Sequence, residues 1–322
     1  MTSIKNITVV SLLLVCLFVT TESASALTIS PVKVEVTGDP GQTLRGELEL
    51  LNEQPGQKTF FTSFENFEPS GDTGSPKFIG NTDGLATWLG AASSVVIATG
   101  DTVKVPYTIT IPSDAEAGGY FAAIFFGEQD PAAQLAGEVA IGGKLGVLIL
   151  LRVAGDIVEK AGISDFTVSE GSKLKSGLPI GLSYRFSNSG GDRVVPLGDI
   201  VIKNMFGGTA ATVVANLNEG SVLPNSARKF QTVWGEPMPV NATSSFFSTA
   251  KKQLTDFHVG FYHANLTLVY GATNQTASDS FWFVLVPWQL LLLVFGVLLL
   301  AMYMLKKYNS WIISKSNTKS NV

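Results

Sequence analysis

Five residues between positions 65 and 88 carry the side chains best suited to recognising a ligand: Glu65, Asn66, Phe67, Asp72 and Trp88. Glu65, Glu68 and Asp72 cluster around a turn, where carboxylates could pair for glycoside hydrolysis or hold calcium. They match neither the EF-hand spacing nor any catalytic motif, and a solvated loop is the simpler reading. The run Phe60-Phe61-x-x-Phe64-x-x-Phe67 is aromatic enough for a sugar platform. Phe60 and Phe64 share a strand face with Thr62 and read as core. Phe67, beside Glu65 and Asn66, reads as the surface member. Trp88, within Gly84–Gly90, either stacks on a sugar or covers the end of the fold, and the second is favoured.

Other chemistry is hard to find. The sequence contains no GxSxG elbow, P-loop or HExxH helix. His258 and His263, the two histidines, are five apart on an expected strand, which puts them on opposite faces and keeps them from sharing a metal. Cys16 is the single cysteine, so an intrachain disulfide framework or a CxxC site is excluded. No catalytic residue, metal or cofactor is therefore expected, and the chain reads as a non-enzyme. Asn241, Asn265 and Asn274 begin glycosylation sequons, which matter only where the host has that machinery.

The elements that position these residues are strands. Short alternating runs punctuated by turn residues occupy 27–153: Leu27–Val36, Thr43–Leu51, Thr59–Phe67, Ser94–Ile97, Thr102–Ile111, Gly119–Gly127 and Gly146–Val153. Alternation in Val103, Val105, Tyr107, Ile109 and Ile111 implies one buried face. The second half repeats the plan over Gly162–Glu170, Leu178–Asn188, Val194–Asn204, Thr209–Leu217, Ser226–Trp234, His258–Tyr270 and Thr276–Val286. Residues 248–257 read as a short helix. The fold class is all-β: two tandem immunoglobulin-like sandwiches, 27–154 and 157–283, followed by one C-terminal transmembrane helix. Gly46–Asn52 and Gly181–Asn188 echo each other, each an alternating strand that ends in asparagine before a Gly-containing turn.

The two ends are of another kind. Residues 1–26 read as a secretory signal peptide, with Lys5, an apolar stretch from Val9 to Val19, and Ala24-Ser25-Ala26 before the cut. Residues 284–305 are charge-free and long enough to cross a bilayer. Trp282 and Trp288 mark one interface; Tyr303, Lys306 and Lys307 mark the other. The basic tail 306–322 is then cytoplasmic, and the body lies outside a single-pass cell membrane protein. The chain is 45% hydrophobic and 15% charged, with a net charge of −4, which speaks against a disordered chain and against a nucleic-acid partner. Without leader and tail, the exterior keeps 17 basic residues against 25 acidic, a net charge of −8.

The layout and several motifs resemble the WxL-interacting protein family of bacterial cell surfaces. The matching pieces are Ile29-Ser30-Pro31, Asp39-Pro40-Gly41-Gln42 before the Thr43–Leu51 strand, Asn52 at its end, and Ile111-Pro112 leading to Gly118-Gly119-Tyr120-Phe121. In the second half they are Phe186-x-Asn188-x-Gly190 and Pro196-x-Gly198-x-Ile200. The resemblance implies a peptidoglycan-binding Ig-like domain, a second Ig-like domain and a membrane anchor. It carries no individual binding residue over, and the Phe60–Gly74 stretch departs from the family pattern. The function expected is a non-enzymatic membrane-anchored adaptor for cell-wall glycan or a secreted surface protein. A chaperone-like factor acting by strand addition is the alternative, and a surface hydrolase using the Glu65–Asp72 loop comes third.

Overall fold

The computed structural model describes residues 26–130, 143–236 and 245–319. The leader apart from Ala26, with Lys5 and Cys16, and the Asn241 sequon lie outside them. The chain forms two compact units. The first takes Phe67 and the described residues before it, together with Phe78–Gly155; the second takes Glu68–Lys77 and the residues from Asp156 onward.

The first half of the chain forms β1 (Leu27–Ser30), β2 (Lys33–Gly38), β3 (Thr43–Asn52), β4 (Lys58–Ser70), β5 (Ser75–Gly80), α1 (Gly84–Trp88), β6 (Leu89–Ala91), β7 (Ser94–Ile97), β8 (Thr102–Thr110), β9 (Gly118–Gly127) and β10 (Lys144–Val153), which build the first unit except for the end of β4 from Glu68 and the start of β5 through Lys77. One sheet has the order β1-β3-β8-β6; the other has β2-β10-β9-β4-β5, with β7 also paired to β4. The run expected as one strand over Leu27–Val36 divides at Pro31, which has no N–H for a ladder. Its first part pairs with β3 and its second, in parallel, with β10. The core between the sheets holds Leu48, Leu50, Ile109, Ile124, Phe126, Val147 and Ile149, all essentially inaccessible. In β10, Leu150 and Leu151 are both buried, so the strand is covered on both faces, as its near-continuous apolar run implies. Strand β5, helix α1 and strand β6 occupy what reads in sequence as a long connection. They are short and carry little periodicity, so only their partners hold them in place.

The second unit comprises β11 (Ala161–Val168), β12 (Leu174–Lys175), β13 (Ile180–Asn188), β14 (Leu197–Asn204), β15 (Thr209–Val214), β16 (Ser226–Trp234), α2 (Phe246–Thr255), β17 (Gly260–Tyr270), β18 (Gln275–Leu285) and α3 (Trp288–Lys319). Its sheets run β11-β13-β16 and β12-β18-β17-β14-β15. Tyr184, Phe186, Ile200, Ile202, Leu266 and Phe283 fill the core. Both units are immunoglobulin-like sandwiches, and the fold class is the expected one.

The echo between the halves has a physical basis. Asn52, at the end of β3, donates through Nδ2 to the carbonyls of Gly56 at 3.1 Å and Ile97 at 3.0 Å, and its Oδ1 accepts from Gln54 N at 3.0 Å. Asn188, at the end of β13, donates to Asp192 O at 2.8 Å and Val222 O at 3.0 Å, and accepts from Gly190 N at 2.9 Å. In each unit one buried amide satisfies the turn four residues on and a backbone carbonyl brought in from far along the chain, Ile97 of β7 in the first and the bridge residue Val222 in the second.

The C-terminal helix begins later than the charge-free run does. Val284 and Leu285 still belong to β18, paired with Phe261 and Gly260, and Leu285 is buried in the second core. Pro287 ends the ladder and suits a helix start. Helix α3 then runs through Leu305 to Lys319, across most of the segment expected as a tail. No Gly or Pro follows Gly296 to stop it. Within it Trp288–Ile312, 25 residues, is long and apolar enough to cross a membrane, at roughly 37 Å against about 30 Å of hydrocarbon.

Candidate functional site

Strand β9 pairs with β4 on one side and β10 on the other, so side chains alternate between the core and the outward face of this sheet. Phe64 and Ile124 point inward. Phe67, Phe121 and Phe125 therefore point outward, where Phe78 of β5 joins them. Phe67 lies 6.1 Å from Phe78 and 5.9 Å from Phe121 between ring centres, and Phe78 lies 4.8 Å from Phe125. This second aromatic layer buries Phe67. Read from its own strand Phe67 is a surface residue; rings from β5 and β9 cover it.

The other sequence candidates are held by structural partners. Glu65, on the same outward face, pairs with Lys144 of β10. Lys144 Nζ also stands 4.3 Å from the centre of the Phe125 ring, a favourable cation–π distance. Asn66 faces inward and is buried. Its Nδ2 donates to Asp83 O at 2.6 Å and its Oδ1 accepts from Ala86 N at 2.9 Å, which pins the first turn of α1. Trp88 closes α1 half-buried on the core, its ring 4.6 Å from Tyr120. Burial and the charge of Glu116 push the Tyr120 hydroxyl above its ordinary value. Asp72 belongs to the second unit, where its carboxylate pairs with Arg185 and its backbone oxygen accepts from Lys229 N at 2.8 Å. The five residues thus do not converge: Glu65 and Phe67 face outward, Asn66 and Trp88 inward, and Asp72 lies in the other unit.

What the sequence reading missed is a half-covered strand edge. Strand β10 pairs with β9 along its whole length, Lys144–Val153, but β2 covers its other edge only from Leu148 to Val153. The first bond on that edge runs from Leu148 N to Val32 O at 3.1 Å, and the last from Ala154 N to Gly38 O at 2.9 Å. Backbone groups alternate sides along a strand. Gly146 and Lys144 therefore turn their N–H and C=O toward the same edge, where no strand among the described residues is laddered to them, although β1 passes close to β10. The open stretch, Lys144–Val147, is about 13 Å long. Gly146 is required there, because a Cβ would come within 2.6 Å of the Phe125 ring that lies over it. Leu145 remains 43% exposed at the margin of the core. The open edge is thus flanked by an aromatic ring, a lysine and an apolar side chain. The only sequence signal for it is the offset between a ten-residue strand and a six-residue neighbour, visible once their register is known.

The membrane-side candidates separate into two elements. Trp282 lies on β18, exposed, with its ring stacked 4.3 Å from His263. Trp288 opens α3 and is exposed, 6.0 Å from Phe246 of α2. Tyr303, Lys306 and Lys307 lie further along the exposed face of α3. His258 precedes β17 rather than lying on it, packed against Trp234, so the opposite-faces argument does not apply to it. Among the described residues no group of three or more His, Cys, Asp or Glu is placed to hold a metal ion.

No family model matches the sequence, and no curated protein matches it. Solved structures of similar fold include the class 5 fimbriae chaperone CfaA, at 12% identity and a TM-score of 0.38 over 80% of this chain and 99% of that one. The E. coli chaperone DraB is 11% identical with a TM-score of 0.34, covering 81% of this chain and 97% of its own. A CsuC–CsuE chaperone–tip adhesion subunit pre-assembly complex from Acinetobacter baumannii is 9% identical with a TM-score of 0.34, covering 79% and 97%. At such identities and TM-scores the likeness stops at the fold.

Proposed function

We propose that this protein is a non-enzymatic, membrane-anchored binding protein that captures an extended segment of a protein partner by strand addition. The observation that carries this reading is the open half of the β10 edge, Lys144–Val147, continuous with the half that β2 already occupies. A peptide laid along it gains main-chain hydrogen bonds to Gly146 and Lys144, worth about 0.5–1.5 kcal/mol each, with side-chain selection by the Leu145 and Phe125 surroundings. Helix α3 tethers the sandwiches to a bilayer. By the positive-inside rule the sandwiches lie outside, and Lys306, Lys307, Lys315 and Lys319 lie in the cytoplasm. This is the strand-addition reading rather than the glycan reading, since the residues first suited to a sugar serve the packing and capping of the sandwich itself.

The test is site-specific photo-crosslinking in native membranes. A photoreactive side chain at Leu145 is expected to give a discrete protein adduct, and one at the exposed loop residue Thr99 is not. Lys144→Pro removes an outward N–H at the first residue of the strand, a position that tolerates proline, and should abolish the adduct. An adduct that is equally strong at Thr99, or indifferent to Lys144→Pro, sinks the reading.

A further inference from the structure

The lower end of the second unit is apolar in a way that its core does not need. In the five-stranded sheet, Leu285 at the end of β18 pairs with Gly260 at the start of β17, and Tyr262 pairs with Asn204 at the end of β14. The register therefore brings three segments to one end of the sheet: the β14–β15 turn, the approach to β17, and the exit into α3. Helix α2 is fixed at that same end. Its buried Gln253 donates through Nε2 to Ser176 O at 2.9 Å and Gln289 Oε1 at 2.5 Å, while its Oε1 accepts from Leu290 N at 3.0 Å. One side chain thus ties α2 to the first turn of the membrane helix and satisfies one of that turn's free N–H groups.

Eight large apolar side chains stand exposed on these segments: Met205 and Phe206 on the turn, Phe246, Phe247 and Leu254 on α2, Phe257 and Val259 after it, and Phe261 on β17. Phe206 is 85% exposed and Phe247 72%. Single exposed apolar residues are ordinary, but a cluster gathered at one end of a domain marks an interaction surface. Its occupant is set by continuity with α3. The Phe246 ring packs 6.0 Å from Trp288 and 5.5 Å from Phe247, so the apolar face of α2 begins where the spanning segment begins. Lys251 stands between Phe247 and Leu254 on one face of α2, with Lys252 beside it; their long stems let the ammonium groups reach lipid headgroups while the apolar side chains go deeper.

We infer that α2 and the β14–β15 turn form a lipid-inserting foot, which seats the second unit in the headgroup layer around the base of α3. Helix α2 lies in the membrane surface with Phe247 and Leu254 directed to the acyl boundary, and Phe206 enters beside it. Insertion of this kind reaches roughly 5–10 Å into the interface. The foot limits tilting of the second unit about the short connection Val286-Pro287, which a single spanning helix alone does not. This inference rests on the reading of α3 as a membrane span, and the experiment separates the two.

The full chain is reconstituted into vesicles of phosphatidylcholine and phosphatidylglycerol. Four single-site variants, Phe206→Cys, Phe247→Cys, Leu298→Cys and Thr276→Cys, each carry an environment-sensitive fluorophore. Cys16 is replaced by serine throughout. Leu298 lies in mid-span, and Thr276 on the end of β18 remote from α3. Labels at 206 and 247 are expected to lose emission to a lipid quencher near the headgroup more than to one deep in the chains. The label at 298 should show the reverse, and that at 276 should respond only to aqueous iodide. Labels at 206 and 247 that behave like the one at 276, while 298 is deeply quenched, overturn the foot and leave the anchor standing. Protection from iodide without lipid quenching means that a protein or a second copy covers this end, and overturns it too. A label at 298 that no lipid quencher reaches removes the anchor and the foot together. All four sites are exposed, so the variants are expected to fold; circular dichroism matching that of the parent confirms it.

Discussion

Tyr184 is the one tyrosine in the second core that lacks a hydrogen-bond partner for its hydroxyl among the described residues. Burial pushes its ionisation well above the ordinary value of 10.0, against a smaller opposing pull from Arg228. A buried, unpaired hydroxyl costs desolvation without return. Tyr184→Phe should therefore leave stability unchanged or raise it by up to about 1 kcal/mol. The pH dependence has a definite sign. A group whose ionisation is raised by folding contributes stability that is complete below its unfolded value and is lost as pH rises past 10.0 toward the folded value. Urea midpoints taken on either side of that pH should fall less steeply with pH in Tyr184→Phe than in the parent. An equal or steeper fall would show that Tyr184 is not the group responsible. The buried asparagines are the opposite case. Asn52, Asn66, Asn188 and Asn216 each satisfy several backbone groups, and Asn216 does so through Pro196 O and Gly220 O at 3.0 Å.

Among the elements, β14 depends on a single backbone conformation. Gly198 has φ of 155°, and a Cβ there would overlap the Thr267 carbonyl across the β14–β17 ladder. Gly198→Ala should destabilise the second unit by more than about 1 kcal/mol, read as a lower urea midpoint. An unchanged midpoint would mean that the ladder shifts to make room. Helix α2 shows how local and long-range factors divide. Ser245 caps it, its Oγ accepting from Ser248 N at 3.2 Å, and the pattern of apolar residues favours the helix. The helix is only ten residues long, however, and Gln253 is what holds it in place. Strand β18 shows the same division. Its apolar run reads straight into a membrane span, yet Leu285 is buried in the core of the second unit, and the helix long enough to cross a membrane starts three residues later at Trp288.

At the scale of the molecule, the proposed anchoring rests on the length and composition of α3, so it can be tested by composition. The parent chain should stay with the membrane pellet through alkaline carbonate extraction. The double substitution Leu298→Arg and Leu300→Arg adds a cost of roughly 6 kcal/mol at mid-span, comparable to the favourable sum over the apolar residues. It should move most of the protein to the supernatant. A parent chain that is itself extracted by carbonate contradicts the span.

The sequence by itself determined the parts whose signal is local and repeated. Alternation placed nearly every long strand within a few residues, since one buried sheet face imposes a period of two wherever the strand lies. Turn residues separated the strands, and twenty-odd apolar residues followed by two lysines marked a helix long and apolar enough to span a bilayer, because bilayer thickness is a length that a chain can encode directly. The echo around Asn52 and Asn188 was visible for the same reason: each strand ends in a residue with a fixed local task. Only the tertiary structure decided what depends on neighbours distant in sequence. Phe67 is buried because Phe78 and Phe121 arrive from other strands. Asn66 is a structural clamp because α1 lies beneath it. Among the described residues the edge at Lys144–Val147 has no ladder partner because β2 begins four residues too late to pair with it. Pairing register is a relation between two segments, and neither segment carries it alone.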